Sequence, residues 1–277
     1  LVDVGDTVLV SHTRDSDGQD LFFITDYVRS GWIYFLGIIF FILLIVVGRS
    51  RGLKSLLSLC ASFFIIVSII LPLILAGHNP LLVSFLGAFL ILLSIIYITW
   101  GFNRQAHVAM ASISISLIIT GGISILFSFL TRLTGTSEEA SFLINLTQTP
   151  INFEGLLLAG IVIGTLGVLD DVVISQISTV EELYKINPNL KIKDVYKKGM
   201  KVGVDHISSM TNTLFLAYAG ASLPLLLLFK ISPDASFTQI INHEIIATEI
   251  VRTLTGSIGI LLSVPIATFI AAYYFKI

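Results

Sequence analysis

Charge is scarce in this chain. Only 12% of its 277 residues are Asp, Glu, Lys or Arg, about half the share that a water-soluble domain carries. That shortage argues against a soluble enzyme, and 55% hydrophobic residues with a mean hydropathy of +0.94 point to a bilayer as the solvent. Cysteine is nearly absent. Cys60 is the single one and lies in an apolar run, so no internal disulfide and no thiolate metal site can form, and it reads as a small buried hydrophobe. The formal net charge of −2 leaves no basic footprint for nucleic acid. The first thirty residues also lack the basic and then apolar pattern of a signal peptide. Because the chain starts at Leu1, a further extracytoplasmic region upstream is expected.

What the sequence has in abundance is long apolar runs. Seven of them approach the roughly 20 residues that cross a bilayer, at 32–47, 56–76, 81–101, 108–130, 155–177, 208–229 and 245–275. The predicted fold is therefore an all-α integral membrane protein of about seven transmembrane helices, residues 31–277. Tight hairpins are expected at Gly48-Arg49-Ser50-Arg51-Gly52 and at Gly77-His78-Asn79-Pro80. Ahead of the helices, alternation at Val2, Val4, Val8 and Val10 and the run 21–27 after an Asp/Gly-rich turn predict two strands. They form the end of a β-rich extracytoplasmic region, residues 1–30.

Basic residues set the orientation, because Lys and Arg in short loops stay on the cytoplasmic face. One side carries Arg49, Arg51, Lys54, Arg104, Lys185, Lys191, Lys193, Lys197, Lys198, Lys201 and Lys276; the other has Arg14, Arg29, Arg132 and Lys230. This places the N-terminal strands and the loops 131–154 and 231–244 outside, with Glu138 and Glu139 in solvated loop. The segment 178–204 and the C-terminus fall inside. Residues 180–202 are amphipathic and lysine-rich, with a break at Pro188, and are expected to lie along the inner surface.

Chemistry in such a protein rests on ionisable groups inside the spans. In the fifth, Gly160, Gly164, Gly167 and Asp171 are spaced 4, 3 and 4 and share one helix face. A small-residue stripe admits a neighbouring helix, so Asp171 is expected in a helix-helix contact, with Asp170 about 100° further round. A charge near mid-bilayer costs about 2.5 to 3.5 kcal/mol on insertion scales, and two adjacent acids cannot both ionise cheaply there. That is the signature of a proton or cation relay, and its titration would belong to the pair. The other reading is that the span ends early and the acids cap it in headgroup water.

The seventh span carries Glu249, Arg252, Gly256, Gly259 and Ser263 at 3-4-3-4 spacing. Glu249 and Arg252 can pair along the helix, either as a structural ion pair or with Arg252 as counter-charge to the aspartates. The sixth span aligns Asp205, Ser208 or Ser209, and Asn212, which either bond the aspartates across the bundle or glue helices. Ion-coupling candidates are thus Asp170, Asp171, Glu249, Arg252, Asp205 and Asn212; helix-packing candidates are Gly160, Gly164, Gly167, Gly256 and Gly259. Asp205 and adjacent His206 do not make a metal site by themselves, and His107 reads as interfacial. No cofactor is expected. Nor is a hydrolase, since neighbouring acids in one helix cannot converge like an aspartyl dyad contributed by two segments.

On three motifs the chain resembles the YibE/F family of bacterial multi-pass membrane proteins: Gly164-Thr165-Leu166-Gly167-Val168-Leu169-Asp170-Asp171, the run from Asp205-His206 to Thr213-Leu214, and Glu249-Ile250-Val251-Arg252 through Gly259. The resemblance implies an extracytoplasmic N-terminal region followed by a multi-helix membrane domain. A weaker likeness, in element order and direction, is to the membrane halves of SecD/SecF and resistance-nodulation-division proteins, and it implies coupling to the proton-motive force. Two extra spans and the lack of an intramembrane lysine set the chain apart from those proteins. The function expected is a proton- or ion-coupled transporter or energy-transducing component. The alternative is a membrane scaffold or accessory subunit that presents an extracytoplasmic domain. Expected partners are the lipid bilayer and either further copies of the chain or a paralogous membrane subunit. The spans grade accordingly: the first four read as lipid-facing framework, the last three as the polar core. In a Cys60→Ser background, a single cysteine at the Pro188 break should react with an impermeant thiol reagent only from the cytoplasmic side, and one at 78 only from the outside; the reverse pattern would refute this topology.

Overall fold

The structure, a computed structural model, describes residues 2–15, 19–136, 151–231 and 236–276; Glu138 and Glu139 lie outside the described residues. The chain divides into two units, Leu1–Leu57 and Ser58–Ile277. In the first, strands β1 (Val8–Arg14) and β2 (Asp20–Tyr27) pair antiparallel, with Val8 opposite Tyr27, Arg14 opposite Asp20 and a register slip at Leu9/Val10. The Asp20 carboxylate meets His12 at 2.8 Å and Arg14 at 3.0 Å. The Tyr27 amide and the Arg29 guanidinium hold the Asp26 carboxyl below its ordinary range.

Helix α1 (Ser30–Ile65) follows and breaks at Arg49, whose φ of 50° and ψ of −131° are not helical. The chain folds back there. A Cβ on Gly52 would run into the Leu44 carbonyl, whereas a straight helix would carry these residues about 12 Å apart. The predicted hairpin is thus present, and Gly52 is required for its close return. In this unit the apolar spacing fixes the helix and one residue with positive φ ends its first leg.

In the second unit a π-turn at Ile66–Ile70 leads into α2 (Leu71–Leu75). Pro72, which has no amide and crowds the preceding turn, gives the reason for the widened ladder. Next come α3 (Pro80–Trp100), α4 (Arg104–Leu130), α5 (Phe153–Ile186), α6 (Ile192–Ala221), α7 (Leu223–Ile231), α8 (Phe237–Asn242) and α9 (Glu244–Tyr274). Asn79, Asn103 and Asn152 accept from backbone amides at the starts of α3, α4 and α5, satisfying donors that a helix start leaves open. Among the described residues five helical stretches are long and apolar enough to span a membrane: Ser30–Leu75, Pro80–Trp100, Arg104–Leu130, Phe153–Ile186 and Glu244–Tyr274. Each leg of the first is near one bilayer crossing in length.

Three expectations need correction. Residues 180–202 do not form a separate surface helix. Helix α5 runs on to Ile186, the chain turns at 187–191, and α6 already starts at Ile192, because Val195, Gly199 and Gly203 are buried against Gln176, Val180, Val264 and Thr268. The sixth span, predicted at 208–229, is instead divided at Ser222 between α6 and α7, and α6 is too polar to stand among the apolar stretches. Cys60, expected buried, is exposed.

Contacts fix the directions of the helices. Gly155 at the start of α5 meets Pro80 of α3, and Thr165 lies by Gly256, Gln176 by Thr268, and Tyr184 by Ala272, so α3, α5 and α9 run in parallel. Helices α4 and α6 run the other way: Gln105 bonds Glu181, Thr120 meets Gly259, Gly199 meets Gln176, and Tyr218 reaches Gly164. Helices α4, α5 and α9 pack on one another, and α6 closes against α9 and α5. Helix α4 is therefore no lipid-facing framework. Its Ser112, Ser116, Thr120, Ser124 and Ser128 are all buried, three of them donating to the carbonyl four residues back at 2.7 to 2.8 Å. Gly259→Leu should therefore lower stability by about 1–3 kcal/mol through overpacking against Thr120, while Gly122→Leu, into open space, should leave it unchanged. Thermal unfolding in detergent checks both.

Candidate functional site

Helix α5 decides what the two acids can do. Asp170 shares a face with Leu166, Val173 and Ile177, which belong to the core cluster built with α3 and α4. Its carboxyl is partly covered, and Oδ1 is buried without a hydrogen-bond partner among the described residues. Asp171, the next residue round, is exposed on the surface of the chain. The pair is split between an inward and an outward face.

Gly160, Gly164 and Gly167 go with Asp171. All three are exposed, Cβ atoms at Gly160 and Gly167 would meet nothing within 4 Å, and one at Gly164 would lie 3.4 Å from the Tyr218 hydroxyl. The stripe does not pack inside this chain as expected, because α6 leans on the neighbouring line of Val168 and Val172. Gly256 and Gly259 do face partners, Leu214 and Thr165 for the first and Thr120 for the second. Two packing glycines that the sequence reading passed over, Gly199 and Gly203, bring α6 onto Gln176, Val264 and Thr268.

The Glu249–Arg252 ion pair forms at 2.8 Å within α9, with both side chains largely covered and Arg252 Nε buried without a partner among the described residues. It does not serve the aspartates. Val251 packs with Leu157 and Ile161, so Arg252 lies some nine residues of α5 above Asp170, about 13 Å along the bundle. Its surroundings are Tyr218, whose ring lines with Glu249, Thr253 and Ser222 an otherwise apolar groove of about 290 Å³ between α6, α7 and α9. Asp205, Ser208, Ser209 and Asn212 are all exposed on α6 and point away from α5 and α9, so they do not reach Asp170 across the bundle.

One line of residues does lead away from Asp170. Ile174, Ser178, Glu181 and Lys185 follow on the same face of α5 at spacings of 4, 4, 3 and 4. A cavity of about 10 Å³ opens there between Trp100, Gln105, Ala106, Ala109, Ile174, Ile177 and Ser178, room for about one water. At its far side Gln105 Nε2 donates to Glu181, which also sits 3.4 Å from Lys185 Nζ. Glu181 was not singled out from the sequence, although its spacing from Asp170 was the available signal.

Nor was Gln176. It is 3% exposed and donates to the Gly199 carbonyl at 2.9 Å and to Thr268 Oγ1 at 2.7 Å, joining α5, α6 and α9 at one side chain. Among the described residues no group of three or more His, Cys, Asp or Glu is arranged to hold a metal.

A family model described as YibE/F-like protein matches residues 36–277. The chain belongs to the YibE/F-like family. No curated protein and no solved structure matches it. Membership of the YibE/F-like family and the apolar helices establish a multi-pass membrane protein. Gln176→Leu in this protein removes two interhelical hydrogen bonds, each worth about 0.6 and at most about 1.7 kcal/mol in a membrane. A loss of about 1–3 kcal/mol in unfolding free energy is expected, measured by steric trapping in bicelles.

Proposed function

We propose that the protein is a proton- or ion-coupled transporter or energy-transducing membrane component in which Asp170 is the group that gains and loses the coupling ion. The observation that carries this reading is the Asp170 carboxyl oxygen, buried in an apolar helix without a partner among the described residues. A buried polar group left unsatisfied costs on the order of 1–3 kcal/mol, and such groups in a membrane mark ion pathways. The line through the small cavity to Gln105 and Glu181 supplies a path toward the end of α5 that bears Lys185. By the distribution of Lys and Arg that end is cytoplasmic, with the N-terminal strands outside. Asp171 acts as the second, outward-facing acid, and Asp205 and Asn212 belong to that outer face. Glu249 and Arg252 neutralise one another at a different depth and tune the bundle rather than the acid. No enzymatic activity is proposed.

The second reading is a non-transporting scaffold or accessory subunit that presents an extracytoplasmic domain. It is favoured by the interlocked contacts of Gln176, Gly199, Gly203 and Gly259, which bind α4, α5, α6 and α9 tightly. Reconstituted protein in vesicles with an imposed pH gradient separates the two. Asp170→Asn should slow dissipation on the order of a hundredfold and Glu181→Gln should slow it less, with insertion and folding unchanged. Full rates in the Asp170→Asn/Asp171→Asn double variant, or no dissipation by the wild type, would sink the transport reading.

A further inference from the structure

Helix α6 turns its polar side away from the bundle. Gly203, Ile207, Met210, Leu214 and Tyr218 face α5 and α9, while Asp205, Ser208, Ser209, Asn212 and Thr213 are exposed. The helix runs alongside α5 and α9 from Gly199, at Gln176 and Thr268, to Tyr218, at Gly164 and Glu249. Its polar side therefore sits at the depth of Val172, Ile260 and Val264, deep in the apolar span. Lipid is a poor cover for it. Exposed acids at such a depth cost about 2.5 to 3.5 kcal/mol each, and Asp205 and Asp171 are two of them. Next to this face, bordering α6 through Tyr218, lies the exposed Gly160, Gly164 and Gly167 stripe of α5, which leaves room for another backbone to approach.

We infer that this face is the interface between two copies of the protein, related by a twofold axis parallel to the helices. Two surfaces side by side on one chain and matched in depth are self-complementary under such an axis. The glycine stripe of each copy receives the α6 of the other. Asp171, with acceptor oxygens and no bulky neighbour on its stripe, then meets the hydroxyl and amide donors of Ser208, Ser209 and Asn212 and the imidazole of His206, which lie at its depth. A different membrane protein would have to reproduce both the donor row and the small-residue groove at this spacing; a second copy brings both. The inference does not depend on proton coupling.

The test uses the full-length protein in lipid vesicles at increasing dilution, with subunits counted by single-molecule photobleaching. Dimers are expected, and Gly160→Leu/Gly167→Leu should cut the dimer fraction about tenfold. That variant is expected to keep its own fold, since a Cβ at either position meets nothing within 4 Å among the described residues. In native membranes, Cys60→Ser/Asn212→Cys should cross-link to a species of twice the monomer mass, and a cysteine at Ile118, exposed on α4, should not. Monomers in the bilayer, dimers indifferent to the two leucines, or cross-links only to a partner of another mass would each overturn the inference.

Discussion

Inside a bilayer the hydrophobic effect does not press helices together, since lipid tails are as apolar as leucine, so cohesion depends on backbones approaching closely and on buried polar contacts between them. In this molecule that constraint is met where α9 crosses its neighbours. Gly259 gives way to Thr120 of α4, Gly203 to Val264 and Gln176, and Gln176 itself ties the Gly199 carbonyl of α6 to Thr268 of α9. Helix α6 owes its place to these contacts. Too polar to insert as an isolated apolar span, it is held along its length by glycines that let it sit close and by an amide that satisfies its backbone.

The charged groups sort by depth around that frame. Glu249 and Arg252 neutralise each other 2.8 Å apart near the Leu157 and Ile161 end of α5. Asp170 and Asp171 lie about two and a half turns further on, one facing inward and the other out. Three consequences differ in kind: the ion pair lowers its own cost of insertion, Asp170 keeps an oxygen unsatisfied among the described residues, and Asp171 joins an exposed polar face that lipid covers poorly. Neighbours in sequence, the two acids are given separate environments by a rotation of 100° about one helix.

Much of the architecture was legible in the residues because it depends on local chemistry. Apolar length gave most of the spans, the Gly48 to Gly52 run marked a reversal, and alternation near Val8 and Val10 marked the hairpin. The Glu249–Arg252 pair was equally legible, being a contact three residues apart in one helix. The packing role of Gly160, Gly164 and Gly167 was misread, since spacing tells which residues share a face but not which way that face turns. The row from Ser112 to Ser128 escaped notice for the related reason that hydroxyls can be satisfied by their own helix, so their burial leaves no trace in composition.

The sequence by itself determined that this is a YibE/F-like multi-pass membrane protein, where most of its apolar spans run and which groups in them are costly, because insertion energy acts through residue type and near spacing. Only the tertiary structure decided that Asp170 turns in and Asp171 out, that Arg252 sits far from both, and that α6 shows its polar side outward. Those outcomes follow from the rotation and register of each helix against its neighbours, set by contacts between residues as far apart as Gln176 and Thr268.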